Sequence, residues 1–199
     1  MPSSTARVVV VTGPSGAGKG TLIKELLRRV AGLEVAVSAT TREQRPGEEN
    51  GREYWFLSGD EFERRVQAGD FLEYVTYVSG HRYGTLRSEV DRIANGGSTC
   101  LLELETDGAL RVRRQVPGAV TIFISAPTSE LERRLTERAT ESTGEIGERV
   151  ELARKQLAQA AEFDHVVEND ELERASEELA GLVERLLVPS GHRDPSPHR

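Results

Sequence analysis

The chain is poor in several things that would have pointed elsewhere. It has one cysteine, Cys100, which rules out an internal disulfide and suits a reducing compartment. No run of about 18 apolar residues occurs, so no helical membrane span is expected. The VVVV run that follows MPSSTAR is too short for a signal-peptide core and has no small-residue cleavage site. The expected location is the cytoplasm. Four histidines, His81, His165, His192 and His198, are scattered without metal-ligand spacing. Lysine is almost absent, with three against 23 arginines, and acids outnumber both for a formal net charge of −7. That balance excludes a protein that coats nucleic acid, which needs a basic surface to neutralise phosphates. An anionic ligand here must instead meet a local cluster of positive charge, for which the planar arginine fork is geometrically suited.

What is present reads as one α/β domain of 199 residues. Residues 8–12, VVVVT, form a β-branched run expected of a strand buried on both faces of a parallel sheet. A glycine-rich loop, an amphipathic helix from Thr21 to Val30 and a second strand from Val35 to Ala39 complete a β-α-β opening. Residues 40–85 change texture: short aromatic segments alternate with turn residues, and a short helix is expected near Asp60 to Gln67. This predicts an antiparallel insertion. Parallel alternation resumes with strands at Thr99 to Leu104 and Val120 to Ser125, with a short helix around Ala109 to Gln115 between them. A helix over Thr128 to Arg138 precedes a polar stretch, Ala139 to Glu148, read as a mobile loop. A helix to about Glu162, a strand at His165 to Glu168 and a helix from Glu171 to Leu187 follow. The expected organisation is a domain over residues 8–188 between an N-terminal tail, 1–7, and a disordered tail, 189–199. Within it lie a core (8–39, 86–127, 149–188), the insertion (40–85) and a lid (128–148).

Residues 13–21, GPSGAGKGT, carry the phosphate-loop pattern G-x-x-x-x-G-K between a buried strand and a helix. Along Gly13-Pro14-Ser15-Gly16-Ala17-Gly18 the backbone N–H groups, Pro14 having none, can form a concave anion site at a helix N-terminus, with Lys19 reaching the β- and γ-phosphates. Gly20 stands where Ser or Thr would supply a hydroxyl to Mg²⁺, and Thr21 follows one place later. The cation must then rely on phosphate oxygens, water and carboxylates. LLELE (101–105) places Glu103 and Glu105 on one face of a strand end, so Thr21, Glu103 and Glu105 are the candidate Mg²⁺ ligands, through water. Cys100, in the same apolar strand, is expected in the core.

The stretch SATTREQRPGEENGREYWF (38–56) puts Arg42, Arg45 and Tyr54 together, equipment for a second phosphate. With GPSGAGKGT, FLEY, a later YGT and an arginine-rich lid, it resembles guanylate kinase from about Arg7 to Leu187. The resemblance implies a three-layer, parallel-sheet P-loop kinase core with an antiparallel nucleotide-binding insertion and a helical lid. It implies ATP-dependent phosphorylation of GMP and dGMP in purine nucleotide metabolism, with Mg²⁺ accompanying ATP. Residue by residue, Ser38 and Glu73 correspond to guanine readers, and Arg42, Arg45, Tyr54 and Tyr83 to the clamp on the GMP phosphate. Thr85 stands near the base, and Glu105 is placed at the acceptor site as well as at the metal. Lys19, Arg42, Arg134, Arg138 and Arg149 are the implied catalytic charges. Gly13 to Thr21 and Asn169 are implied to hold ATP. Arg133 is read as part of a salt-bridged face instead. The hairpin from Glu73 to Gly80 is one residue longer than usual in that family, and Thr106-Asp107-Gly108 and Ala139 also depart from its pattern. A non-catalytic scaffolding module would not need Lys19 and the lid arginines, and a kinase of another acceptor, such as ribose bisphosphate, would not need the 38–56 segment. Partners are therefore ATP and GMP or dGMP, with no nucleic acid or membrane, and the oligomeric state open.

Overall fold

A computed structural model describes residues 8–77, 80–137 and 143–187. Its centre is β1 (Val8–Thr12), in the middle of a parallel sheet with β2 (Leu33–Val35), β7 (Thr99–Glu103), β8 (Val120–Ser125) and β9 (His165–Glu168) in the order β2-β7-β1-β8-β9. Alternation along β1 divides its side chains between two cores. Val9 and Val11 join Leu101, Ile122 and Ile124 under α1 (Lys19–Arg29) and α7 (Leu172–Leu187), whereas Val8 and Val10 join Cys100, Leu102 and Phe123 on the opposite face. Both faces are covered, which is why β1 reads as an unbroken apolar run. The opposite layer is α3 (Arg87–Asn95) and α4 (Thr106–Gln115), and the three layers implied by the sequence are present.

A second sheet carries the insertion: β4 (Trp55–Phe56), β3 (Ala39–Thr40), β6 (Arg82–Leu86) and β5 (Phe71–Thr76). It is antiparallel at β3–β6 and β5–β6 but parallel at β3–β4. The helix α2 (Gly59–Ala68) closes it, capped by the Ser58 side chain and ended by Gly69. A bulge at Leu72, with Phe71 opposite Leu86 and Glu73 opposite Thr85, re-aims β5. Phe71 enters the insertion's own small core with Phe62 and Leu86, while Leu72 enters the main core.

The structure departs from the sequence reading at four places. The extended run at 35–39 is shared between two sheets. Its Ala36 N–H still bonds Leu101 of the main sheet, Val37 N–H goes to the buried Glu89 carboxylate, and Ala39 has joined the second sheet. The helix α3 was not anticipated, because only Val90 and Ile93 supply its apolar face. The 139–148 stretch is not a loop throughout: α6 (Thr143–Ala158) begins inside it, next to α5 (Thr128–Glu137). Among the described side chains of α6, Val150, Ala153 and Leu157 pack on the main core, and an established helix extends at little cost into a polar turn. A short 3-10 turn over 160–162 ends that region earlier than a continuous helix would.

Phe62 is fully buried and stacks on Phe71 at 4.3 Å between ring centroids. Phe62→Ala should destabilise the protein by about 3–5 kcal/mol in urea titration. The exposed Arg64→Ala on the same helix should stay within about 0.5 kcal/mol of the parent.

Candidate active site

The phosphate loop leaves β1 at the carboxyl edge of the sheet and closes onto α1. Gly13, at φ 140°, runs so close to β8 that a Cβ there would lie 2.2 Å from the Ile124 carbonyl oxygen. Gly18 is left-handed at φ 84°, and a Cβ there would meet the Asn169 amide at 2.5 Å. Ala17 is buried, while Ser15, Gly20 and Thr21 are exposed. Lys19 lies along the loop with its Nζ on the carbonyl oxygens of Gly13 at 2.6 Å and Pro14 at 3.2 Å. Burial lowers the Lys19 ammonium below its ordinary pKa, with Glu105 and Glu103 acting in the opposite sense.

Two side chains brace this loop from outside. Asn169, buried after β9, donates its Nδ2 to the Ala17 carbonyl at 2.7 Å. Arg134, on α5, donates from Nε to Glu130 and from Nη1 to the Gly16 carbonyl at 3.2 Å. Arg133 pairs with Glu130 on the exposed face, as its sequence context suggested. Arg138 lies outside the described residues.

A cleft of about 1080 Å³ runs from the loop to the insertion. It brings together Ser15, Lys19, Ser38, Tyr54, Glu73, Tyr83, Glu103, Glu105 and Arg149, which are spread over more than 130 positions of sequence. Glu73 is 7% exposed. Its Oε1 accepts from the Thr85 N–H at 3.0 Å and the Thr85 hydroxyl at 2.9 Å. Thr85 is itself buried, so it orients the carboxylate. The register from Glu73↔Thr85 to Thr76↔Arg82 is unbroken, which places Tyr83 opposite Val75. The other oxygen, Oε2, lies 3.1 Å from where a Cβ on Gly108 would stand, so a larger residue there would press on the Glu73 carboxylate. Burial raises the Glu73 carboxyl above the usual range, against the Thr85 hydrogen bonds and the Arg111 charge.

Beside the cleft, Arg42 sits over the rings of Tyr54 and Phe56 at 5.4 and 5.5 Å. Its Nη2 is shared by the two Glu48 oxygens at 2.8 and 3.0 Å. Glu48 also accepts from the backbone N–H of Arg45, whose side chain is exposed on the same loop. Tyr54 and Tyr83 meet edge to face at 5.8 Å, and Tyr83 meets Tyr77 the same way at 5.2 Å.

Glu103 ends β7 and Glu105 caps α4 in an extended conformation, so both carboxylates reach the cleft beside Lys19. Glu103 is exposed at the cleft, where the neighbouring walls desolvate it in part. That desolvation raises its carboxyl pKa, Lys19 lowers it and Glu105 raises it further. Among the described residues no group of three or more His, Cys, Asp or Glu is arranged to hold a metal. Thr21 sits in the first turn of α1 and does not line the cleft.

Sequence reasoning missed part of the lining. Arg111 donates to the Tyr74 carbonyl at 3.0 Å, tying α4 to β5. Leu152, Lys155, Gln156 and Gln159 extend the α6 face begun by Arg149. The signal was the three-to-four-residue spacing from Arg149 to Gln159, and likewise Asp107, Gly108 and Arg111.

A glycine loop folded against a helix N-terminus at one end of the cleft, and a hydrogen-bonding insertion at the other, define a P-loop phosphotransferase with room for two nucleotides. The profile described as guanylate kinase matches residues 5–186. The chain is 48% identical to a guanylate kinase of Rubrobacter xylanophilus over 183 residues, covering 92% of this chain and 95% of that one. It is 45% identical to a guanylate kinase of Synechococcus over 183 residues, 92% of this chain and 84% of that one. The crystal structure of guanylate kinase from Anaplasma phagocytophilum superposes with a TM-score of 0.72 at 25% identity, covering 96% of this chain and 90% of that one. The chain belongs to the guanylate kinase family.

The raised Glu73 carboxyl has a sign that can be measured. The native state holds this proton more tightly than the unfolded chain, so the position loses stability as pH rises through the carboxylate range. Glu73→Gln keeps an acceptor for Thr85 and removes the buried charge. Its melting temperature should exceed that of the parent near pH 8, with the difference vanishing toward about pH 4, below the ordinary Glu pKa. Thermal scans across that interval check it.

Proposed function

We propose that the cleft binds ATP at the phosphate loop and GMP or dGMP against the insertion, and transfers the γ-phosphoryl group directly between them. The observation that carries this reading is the buried, acceptor-only Glu73 carboxylate, fixed by Thr85 at one oxygen and facing the cleft with the other. Guanine presents two adjacent donors, N1–H and the 2-amino group, which suit a carboxylate, while its O6 can accept from the Ser38 hydroxyl. Adenine has neither donor and would leave the buried acceptor facing another acceptor.

Arg42, over the rings of Tyr54 and Phe56, together with Arg45, Tyr54 and Tyr83, supplies the clamp for the acceptor phosphate. Lys19 and the loop N–H groups hold the donor phosphates, and Asn169 keeps the loop in the shape they require. Arg134 and Arg149, with Arg138, add positive charge where negative charge spreads over the equatorial oxygens. A phosphate oxygen of GMP is the nucleophile, so no protein nucleophile is needed. Catalysis is positioning plus charge stabilisation.

The residues present fit Mg²⁺. Glu103 and Glu105 are hard oxygen donors suited to holding its waters, and a Cβ at Gly20 would meet nothing within 4 Å, which leaves room beside the phosphates. Bound with ATP, Mg²⁺ would neutralise the β- and γ-oxygens.

ADP production should be measured with GMP, dGMP, AMP, UMP, CMP and ribose bisphosphate as acceptors. GMP and dGMP should turn over, with AMP poorer in kcat/KM by roughly 10⁴. If AMP or ribose bisphosphate equals GMP, the reading fails. Lys19→Ala should lower kcat by on the order of 10²–10³ with the circular dichroism spectrum unchanged. Glu73→Gln should lose GMP efficiency and narrow the GMP-over-AMP ratio, because its amide can donate to adenine N1. Glu63→Gln, on α2, should do neither.

A further inference from the structure

Glu105 is gripped by two elements that belong to different parts of the molecule. The Tyr77 hydroxyl, at the end of the β5–β6 hairpin, donates to Glu105 Oε1 at 3.3 Å. Gln156 Nε2, from α6, donates to Glu105 Oε2 at 3.3 Å. Gln156 is 7% exposed, a buried amide with its donor spent on this carboxylate. Tyr77 is anchored a second time. Its ring packs edge to face on Tyr83, and its backbone N–H bonds the His81 carbonyl across the hairpin.

We propose that Tyr77 and Gln156 are positioning residues for the acceptor nucleotide, acting through Glu105. The insertion, the end of β7 and α6 are thereby joined at one carboxylate on the cleft floor. Each oxygen receives one neutral donor, which sets the plane of the carboxylate without cancelling its charge. The Glu105 charge stays available to an acceptor ribose or to the waters of a cation. Tyr83 thus meets both Tyr77 and Tyr54 edge to face. Both Glu105 contacts, at 3.3 Å, are at the long end of the hydrogen-bond range.

The inference rests on the placement of Glu105 at the acceptor site, and the experiment separates the two. Initial rates are measured over GMP and ATP concentrations for Tyr77→Phe, Gln156→Leu, Glu105→Ala and the double variant Tyr77→Phe/Glu105→Ala. Tyr77→Phe keeps the ring and loses only the hydroxyl. It should raise KM for GMP by about fivefold to tenfold, leaving KM for ATP and kcat within about twofold. Gln156→Leu, similar in volume, should do the same. In the Glu105→Ala background, Tyr77→Phe should add nothing further, because its partner is gone. If Glu105→Ala raises KM for GMP and neither neighbouring variant does, the positioning role is overturned while the acceptor site stands. Effects of Tyr77→Phe and Glu105→Ala that simply multiply overturn it too, as does an equal rise in KM for ATP. If Glu105→Ala leaves KM for GMP unchanged, Glu105 does not belong to the acceptor site and both readings fall.

Discussion

The site depends on β1 being paired on both edges and covered on both faces. Four valines with at most 2% exposure hold it between β7 and β8, so its carboxyl end emerges at a fixed place beside theirs. The glycine loop then has one route to α1, and it must pass within contact of the Ile124 backbone. The pairing of Val11 with Glu103 sets the acidic strand end next to Lys19. Nothing in the loop itself determines that proximity; sheet register does.

The insertion solves a different problem, how to keep a carboxylate buried and aimed. One bulge at Leu72 lets three consecutive residues, Phe71, Leu72 and Glu73, all be buried, in three different surroundings. Phe71 stabilises the insertion, Leu72 fastens it to the core and Glu73 is left facing the cleft. Thr85 meets the carboxylate with both of its donors. Desolvation still outweighs them, so the charged Glu73 carboxylate opposes the stability of the fold.

Legibility in the sequence followed how local the cause was. The strands β1, β8 and β9 were readable to the residue, because their runs of β-branched side chains have one explanation. The phosphate loop was readable from glycine spacing, and Glu103 with Glu105 from strand alternation. The 38–56 segment and Glu73 became interpretable through resemblance to a family. What stayed hidden was tertiary in origin. The run at 35–40 looks like one strand, and only Glu89, arriving from α3, divides it between two sheets. Arg111, Gly108 and Gln156 look like ordinary helix positions until the insertion is folded against α4 and α6. Thr85 was expected near the base; what it meets in the fold is the Glu73 carboxylate, through both its backbone N–H and its hydroxyl.

The pairing of Arg42 with Glu48 also bears on how the acceptor is held in salt. A free arginine pair on an exposed loop gathers counter-ions from solution and gives them up when phosphate binds, so affinity falls steeply with ionic strength. Arg42 carries its own counter-ion, tethered six residues along the chain and bound through both oxygens. A phosphate that settles there exchanges one anion for another and releases few ions to the solvent. On the clamp role proposed for Arg42, binding at this end of the cleft would be buffered against salt, with the Glu48 carboxylate held near enough to take the guanidinium back when the phosphate leaves.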